Sequence, residues 1–141
     1  MINTLIIYSS TDGHTKTICE RIINFFENEN LPKIVSLTEA MKFDLSEYEK
    51  IVIGASIRYG SHSRDLYKFI DINKNILDQK KCAFFSVNVV ARKPEKNTPE
   101  TNPYIKKFLK ISNWRPHKIG VFAGKVDYPK YGFFDKYIIK L

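Results

Sequence analysis

The first residues able to do chemistry are the hydroxyls and the glycine of a loop that follows an apolar run, Thr4 to Tyr8. A pattern of helical spacing begins directly after this loop. The start of a helix presents unpaired backbone N–H groups and the positive end of the helix dipole, and Ser and Thr hydroxyls add donors that a phosphate accepts. We therefore predict a phosphate-binding loop. Its residues are Ser10, Thr11, Asp12, Gly13, His14 and Thr15.

This loop differs from those that bind ATP or NAD. No Lys follows Gly13, which excludes the GxxxxGK[ST] pattern, and the single glycine excludes GxGxxG. An ordinary helix cap is the alternative interpretation, because Ser, Thr and Asp all cap helix N-termini well. The loop alone does not decide between a phosphate site and a cap.

Two further loops follow apolar runs and suit a flat aromatic ligand such as a flavin. In the first, Tyr59 can stack on the ring, and nearby backbone groups can tune its redox potential. Arg58 can face a substrate carboxylate or stabilise a reduced, anionic flavin, although an exposed loop Arg is more often merely solvated. The second loop opens with Ser86 to Val89, which can bracket the other side of the ring. The predicted ring contacts are Ser56, Ile57, Arg58, Tyr59, Gly60, Phe85, Ser86, Val87, Asn88 and Val89.

The second of these loops continues into a basic stretch, Ala91 to Lys96. Adjacent cations suit a carboxylate, so Arg58, Arg92 and Lys93 are predicted substrate contacts. A charged surface turn is the equally ordinary alternative for Arg92 and Lys93.

No side chain stands out as an obligatory acid or base, so no catalytic residue is assigned. His14 and His62 lie near the predicted loops, and a structural role is favoured for both. Cys19 and Cys82 show neither CxxC nor metal-ligand spacing. We expect both thiols to be reduced packing residues, and no metal site is predicted.

Alternating strands and helices must position these loops. Lys33 to Leu37 alternates polar and apolar residues, which predicts an exposed edge strand, and Thr38 to Tyr48 carries only a short helical signal. Uniformly apolar runs predict four buried parallel strands: Thr4 to Tyr8, Lys50 to Gly54, Lys81 to Val87 and Lys118 to Ala123. Apolar stripes with helical spacing begin at Ile18, Leu66 and Tyr104. The pattern indicates one α/β domain over residues 1–141, a doubly wound sheet that binds ligands at the carboxyl ends of its strands.

The net charge and the length of the apolar runs limit the kinds of partner that the chain can have. A formal net charge of +8 is compatible with nucleic acid, an anionic membrane surface or an acidic substrate. No zinc-finger, RRM or helix-turn-helix signature organises this charge, so nucleic-acid binding is disfavoured. No apolar run approaches the roughly 18 residues of a membrane span, and the N-terminus lacks a signal-peptide pattern. We expect the chain to stay in the cytosol.

Taken together, the three loops resemble the flavodoxin superfamily, with Tyr8-Ser9-Ser10 followed by Gly13 and Thr15. Three longer strings are similar to the bacterial quinone-dependent protoporphyrinogen oxidases: Ile53 to Gly60, Phe85 to Lys96 and Asn113 to Pro116. The resemblance covers the whole chain. It implies a flavodoxin-like five-stranded sheet in the order 2-1-3-4-5 and FMN as cofactor. It also implies oxidation of protoporphyrinogen IX to protoporphyrin IX in haem biosynthesis, with a membrane quinone as electron acceptor.

Residues 125–141 resemble the start of an insertion typical of that family, and the continuation that supplies the family's C-terminal helix is missing. A helical tail would carry Lys130, Lys136 and Lys140 beside one apolar face, which suits an anionic membrane surface and predicts peripheral binding to the cytoplasmic side of the inner membrane. Alternatively, the face packs on the sheet or on a second copy, giving a homo-oligomer. The face comprises Phe133, Phe134, Tyr137, Ile138 and Leu141.

Two other functions compete with the enzyme. A flavodoxin-type electron carrier would bind FMN without a substrate of its own, but such carriers tend to be acidic, whereas this chain is basic and has an aromatic tail. A truncated, inactive remnant is the third interpretation, and the intact phosphate loop argues against it.

Overall fold

Five strands and four helices make up the described part of the chain, which in this computed structural model covers residues 4–9, 14–22, 31–57 and 60–123. The strands are β1 (Thr4–Ser9), β2 (Lys33–Ser36), β3 (Lys50–Ser56), β4 (Lys81–Val87) and β5 (Lys118–Phe122). They pair in parallel in the order β2-β1-β3-β4-β5. The predicted doubly wound sheet and its strand order are therefore confirmed.

The four α-helices are α1 (His14–Ile22), α2 (Leu37–Ala40), α3 (Arg64–Gln79) and α4 (Pro103–Ser112). The last three each begin directly after a residue whose side chain accepts from free backbone N–H groups. The Ser63 hydroxyl accepts from Leu66 N at the start of α3, and Asn102 caps α4 directly before a proline. Helix α4 ends at Asn113, whose φ of 53° is the left-handed conformation that often closes helices.

Alternation along the strands divides the apolar side chains between the two faces of the sheet. Ile6 and Val52 contribute to the cluster that contains residues of α1, whereas Leu5 and Ile53 belong to the cluster that contains residues of α3 and α4. All four side chains are completely buried. A parallel sheet covered on both faces explains why the strands are apolar at nearly every position.

Stacked aromatic rings fix α4 against β4. The rings of Phe84 and Phe108 lie parallel with centroids 3.8 Å apart, and Trp114 meets both edge-on at 6.5 and 6.2 Å. Each of these rings is at most 1% exposed. The start of α4 is thereby held beside the carboxyl end of β4, where the predicted ligand loops lie.

The remaining predictions on local structure meet the structure in different ways. The short signal between Thr38 and Tyr48 corresponds to the end of α2 and a 3₁₀ turn at Leu45–Glu47. Cys19 and Cys82 are buried free thiols, and burial raises the pKa of the Cys82 thiol to about 12. The tail predicted to bind membranes lies outside the described residues. Within the described ranges, no helix combines the length and the apolar character required to cross a membrane.

Candidate functional site

The start of α1 holds a buried hydroxyl that nothing in the described protein satisfies. Thr15 is completely buried, and its Oγ1 has no hydrogen-bond partner in the parts of the chain that the structure describes. An unsatisfied buried hydroxyl is destabilising unless a ligand accepts or donates a bond. Helix α1 begins at His14, one residue earlier, so its free N–H groups lie at the same place. The other predicted phosphate contacts, Ser10 to Gly13, lie outside the described residues.

A cavity of about 140 Å³ opens at the carboxyl ends of β3, β4 and β5. Two predicted contacts at strand ends and three in the segments that follow those strands meet here, together with two residues that were not predicted. The lining comprises Ser56, Ile57, Val87, Asn88, Val89, Tyr104 and Ala123. The cavity therefore has an apolar wall with a few polar groups, as flat aromatic ligands require.

Other predicted ring contacts lie elsewhere. Phe85 is completely buried in the apolar cluster that contains residues of α1, and Ser86 is completely buried behind the cavity wall. Gly60 is exposed with a φ of 77°, a left-handed conformation that glycine adopts without strain. Arg58 and Tyr59 lie outside the described residues.

Tyr104 and Ala123 were missed as cavity residues, although the sequence contained a signal for each. Tyr104 was assigned to an apolar helical stripe, yet it occupies the first turn of α4, next to the carboxyl end of the sheet. Ala123 directly follows the last residue of β5. Both positions follow from the rule that ligands bind at carboxyl ends of strands, applied to every strand.

Hydrogen bonds join the loops around the cavity. Ile57 N donates to Val87 O at 3.3 Å, and Asn88 N donates to Phe122 O at 2.9 Å, which continues the sheet pairing one step beyond the strands. On the other side, the hydroxyls of Ser9 and Ser63 lie 3.3 Å apart. The end of β1 is thus linked to the start of α3, and the carboxyl ends of β1, β3 and β4 lie at one edge of the sheet.

His62 is one of the buried residues that support the cavity wall. Its Nε2 lies 2.8 Å from the hydroxyl oxygen of Ser86, and its ring meets Phe84 and Phe108 edge-on at 5.5 Å each. Burial, with a further contribution from the charge of Lys107, lowers the pKa of His62 to about 4. The imidazole is therefore neutral at physiological pH.

Two asparagines extend this support into a buried polar network. Asn88 Nδ2 donates to Ser86 Oγ at 3.0 Å, and Asn102 Nδ2 donates to Asn88 Oδ1 at 2.9 Å. Asn88 is 5% exposed and Asn102 is fully buried. The role of Asn102 was missed, and its only sequence signal was the position before Pro103, which indicates a helix cap.

A basic segment, defined here as Val89 to Lys96, projects from the cavity wall as two short 3₁₀ turns. Arg92 and Lys93 are exposed at the junction of the turns, and Val89 at its start lines the cavity. The two cations thus lie three and four residues from the cavity, on a segment that begins in its wall. This arrangement can present positive charge to an anionic group of a ligand at the cavity mouth.

Comparisons with known proteins identify this arrangement. A family model described as a flavodoxin domain matches residues 5–141. The chain is 44% identical over 138 residues to protoporphyrinogen IX dehydrogenase (quinone) of Leishmania major, covering 96% of this chain and 60% of that protein. It is 40% identical over 141 residues to the Escherichia coli K12 protein of the same name, covering 99% of this chain and 78% of that one. The chain thus spans less than two thirds of the Leishmania protein.

Solved structures with the same fold include flavodoxins and a related flavoprotein. Two-electron reduced Megasphaera elsdenii flavodoxin gives a TM-score of 0.73 at 11% identity, covering 98% of this chain and 99% of that one. A Lactobacillus acidophilus flavoprotein in complex with FMN gives 0.62 at 16% identity, covering 96% and 100%. These structural similarities establish the fold, and the sequence identity to the two dehydrogenases identifies the family within it. The chain belongs to the flavodoxin domain family and, within it, to the family of quinone-dependent protoporphyrinogen IX dehydrogenases.

Proposed function

We propose that the chain oxidises protoporphyrinogen IX to protoporphyrin IX with FMN as cofactor and a membrane quinone as electron acceptor, in haem biosynthesis. The observation that carries this proposal is the identity of 40% and 44% to two dehydrogenases of that name over nearly the whole chain. The cavity and the basic segment supply the physical support, because a porphyrinogen combines a large apolar macrocycle with two propionates.

The described residues fit FMN at two points. The orphaned hydroxyl of Thr15 at the start of α1 suits the phosphate, and the predicted partners in that loop are Ser10, Thr11, Asp12, Gly13 and His14. The cavity suits an edge of the ring system. β1 and β3 are neighbours in the sheet, with Ser9 paired to Ala55, so the residue that precedes the predicted phosphate loop lies beside the strand that ends in the cavity wall. When bound, FMN supplies the redox chemistry, accepting electrons in repeated two-electron steps.

The chain's own residues bind and orient the ring and the substrate, and they exclude water. Val87 and Ile57 present apolar surface to the ring, and Arg92 and Lys93 attract the propionates of the substrate. Arg58 is a third predicted cation for this role. His62 is not placed to exchange protons with a substrate, because it is 4% exposed and its Nε2 is engaged with Ser86.

Reconstitution separates this function from the competing ones. The purified chain is titrated with FMN, and the conversion of protoporphyrinogen IX is followed by porphyrin fluorescence, with and without a quinone. The proposal expects a bound flavin spectrum and conversion that requires the quinone. A flavin-bound chain that exchanges electrons with redox partners but does not convert porphyrinogen would be an electron carrier, and a chain that retains no flavin would be a remnant.

We further propose that the protein works as a peripheral protein on the cytoplasmic face of the inner membrane. Two sequence features support this location, the net charge of +8 and the apolar and basic residues of the tail. The quinone acceptor is dissolved in that membrane, so contact with its surface shortens the path of the electrons. Self-association through the apolar face of the tail is the competing outcome of the vesicle test given in the Discussion.

A further inference from the structure

We infer that Asn102 is a positioning residue that clamps the basic segment, and through it Arg92 and Lys93, at the mouth of the cavity. The inference rests on the proposed function, in which these two cations receive the propionates of the substrate. Neither the sequence pattern of Asn102 nor the names of the relatives point to this role. It follows from the hydrogen bonds of one buried carboxamide.

The two N–H bonds of the Asn102 carboxamide reach both ends of the basic segment. Nδ2 donates to Asn88 Oδ1, directly before the segment, and to the backbone oxygen of Lys96, its last residue, at 2.9 Å in each case. Asn102 is completely buried, so water does not compete for these bonds. One side chain therefore sets the distance between the two ends.

The oxygen of the same carboxamide has a separate structural role. Asn102 Oδ1 accepts from the backbone N–H groups of Tyr104 and Ile105, at 3.1 and 3.3 Å, which caps α4. A serine, threonine or aspartate would cap the helix equally well. The same oxygen also accepts from Asn88 Nδ2 at 3.3 Å, whereas the bonds to Asn88 Oδ1 and Lys96 O come from Nδ2 alone. A side chain that caps the helix but lacks these N–H donors therefore separates the two roles.

Inside the basic segment, short-range backbone bonds close the two 3₁₀ turns. Lys93 N donates to Val90 O at 3.1 Å, and Lys96 N donates to Lys93 O at 2.9 Å. Among its eight residues only Ala91 is buried, so packing contributes little to its position. The anchors at both ends consequently decide where the exposed side chains of Arg92 and Lys93 lie.

The anchor itself is rigid. Hydrogen bonds connect Asn88 to Ser86 and Ser86 to His62. Each of these three side chains is at least 95% buried. Helix α4 is fixed by the stacked rings of Phe84 and Phe108. A fully satisfied buried network holds one arrangement, because any other would leave polar groups without partners.

The test replaces Asn102 by serine, which keeps the cap and removes both bonds to the basic segment. The first readout is amide hydrogen exchange of the FMN-free protein. Exchange at the N–H groups of Lys93 and Lys96 should accelerate about ten-fold or more, whereas Tyr104 and Ile105 keep their protection. Asn73→Ser is the matched control, since it removes a side-chain bond to Phe69 O on α3, outside the site.

The second readout is the kinetics of the FMN-loaded protein. Asn102→Ser should raise KM for protoporphyrinogen IX roughly five- to ten-fold and leave kcat within about two-fold. The substitution misplaces the binding cations, whereas Asn88 keeps its bonds to Ser86 Oγ and Phe122 O in the cavity wall. In a chain that already carries Arg92→Ala and Lys93→Ala, the same substitution should raise KM no further. Additive effects, or unchanged exchange at Lys93 and Lys96, would overturn the inference.

Two safeguards keep the inference testable. If Asn102→Ser does not fold, Asn102→Thr replaces it, because threonine also caps helices and lacks the two N–H donors of the carboxamide. If the unaltered chain binds FMN but does not oxidise porphyrinogen, the proposed function fails. The hydrogen-exchange experiment then tests by itself whether Asn102 holds the basic segment, since it requires neither substrate nor cofactor.

Discussion

The ring of Phe85 lies over Gly54, its register partner on the adjacent strand, so closely that a Cβ on Gly54 would overlap the ring atoms. The same ring meets Phe122 edge-on at 5.3 Å, and so three neighbouring strands are packed together just below the cavity. Glycine is required here by the close approach of a side chain and not by its backbone conformation. The pair supports Ser56 and Val87, which lie two residues further along the same strands.

Adding a methyl group at Gly54 tests this packing. Gly54→Ala forces the Phe85 ring out of its place and should lower the free energy of unfolding by about 1–3 kcal/mol, the usual cost of overpacking a core. Urea unfolding followed by circular dichroism measures the change. In a Phe85→Leu background the alanine meets a smaller side chain, so its cost should fall to less than half. An equal cost in both backgrounds would contradict the assigned contact.

The hydroxyl of Thr15 gives a prediction with opposite signs for stability and for ligand binding. Thr15→Val removes a hydrogen bond to a charged phosphate and should weaken FMN binding roughly ten- to hundred-fold. The FMN-free protein should be as stable as before or more stable, because the buried hydroxyl has no partner among the described residues. Flavin fluorescence titration and urea unfolding measure the two effects.

Thr4 provides the matched control for Thr15. Its Oγ1 is also buried and without a partner in the described structure, but it lies at the opposite end of β1. Thr4→Val should therefore leave FMN affinity unchanged. Equal FMN affinity in the Thr15 and Thr4 variants would remove the phosphate role of Thr15.

His62 should make the protein less stable in mild acid. Burial and the charge of Lys107 lower its pKa to about 4 in the folded protein, whereas an unfolded chain has a pKa near 6.5. Between these values the unfolded state binds more protons, so stability is complete above about pH 6.5 and falls as the pH drops towards 4. The loss amounts to about 3 kcal/mol. His62→Gln should remove this part of the pH dependence in urea unfolding, and curves of the same slope for both proteins would exclude it.

The sequence predicted the sheet well and the buried support of the site poorly, for physical reasons. Lys81–Val87 is an uninterrupted apolar run, and its bounds were predicted without error because local pattern alone determines a buried strand. Phe85 was among the predicted ring contacts, but strand alternation places its side chain on the sheet face that packs with residues of α1. Asn88 and Asn102 meet across 14 residues only after α4 has docked, and no local pattern encodes that contact.

The cations of the basic segment should act on substrate binding and not on the cofactor. Arg92→Ala with Lys93→Ala removes two exposed charges and should raise KM for protoporphyrinogen IX about ten-fold or more, with the flavin spectrum and FMN affinity unchanged. Steady-state kinetics and flavin titration test both statements. The pair Lys42→Ala and Lys110→Ala removes the same charge from exposed positions outside the segment and should leave KM unchanged. Weakened FMN binding with an unaltered KM would refute the role.

The final prediction concerns the tail, residues 125–141, whose sequence combines Lys130, Lys136 and Lys140 with an apolar face. The chain should sediment with vesicles that contain anionic lipid at low salt, and less of it should do so at high salt, because ions screen the attraction. Replacing Lys130, Lys136 and Lys140 by glutamate keeps the apolar face and should reduce binding on the order of a hundred-fold or more, at about 1 kcal/mol for each lysine lost near the surface.

Charge reversal elsewhere separates membrane binding by the tail from a general effect of net charge. Lys42→Glu, Lys74→Glu and Lys110→Glu change the net charge equally on the described surface and should weaken vesicle binding far less. If the tail packs on the sheet or on a second copy instead, both triple variants should bind vesicles alike. Packing on a second copy would in addition make the unaltered chain sediment as a dimer whether or not lipid is present. That result would mean that the reaction with the quinone does not depend on contact between the tail and the membrane.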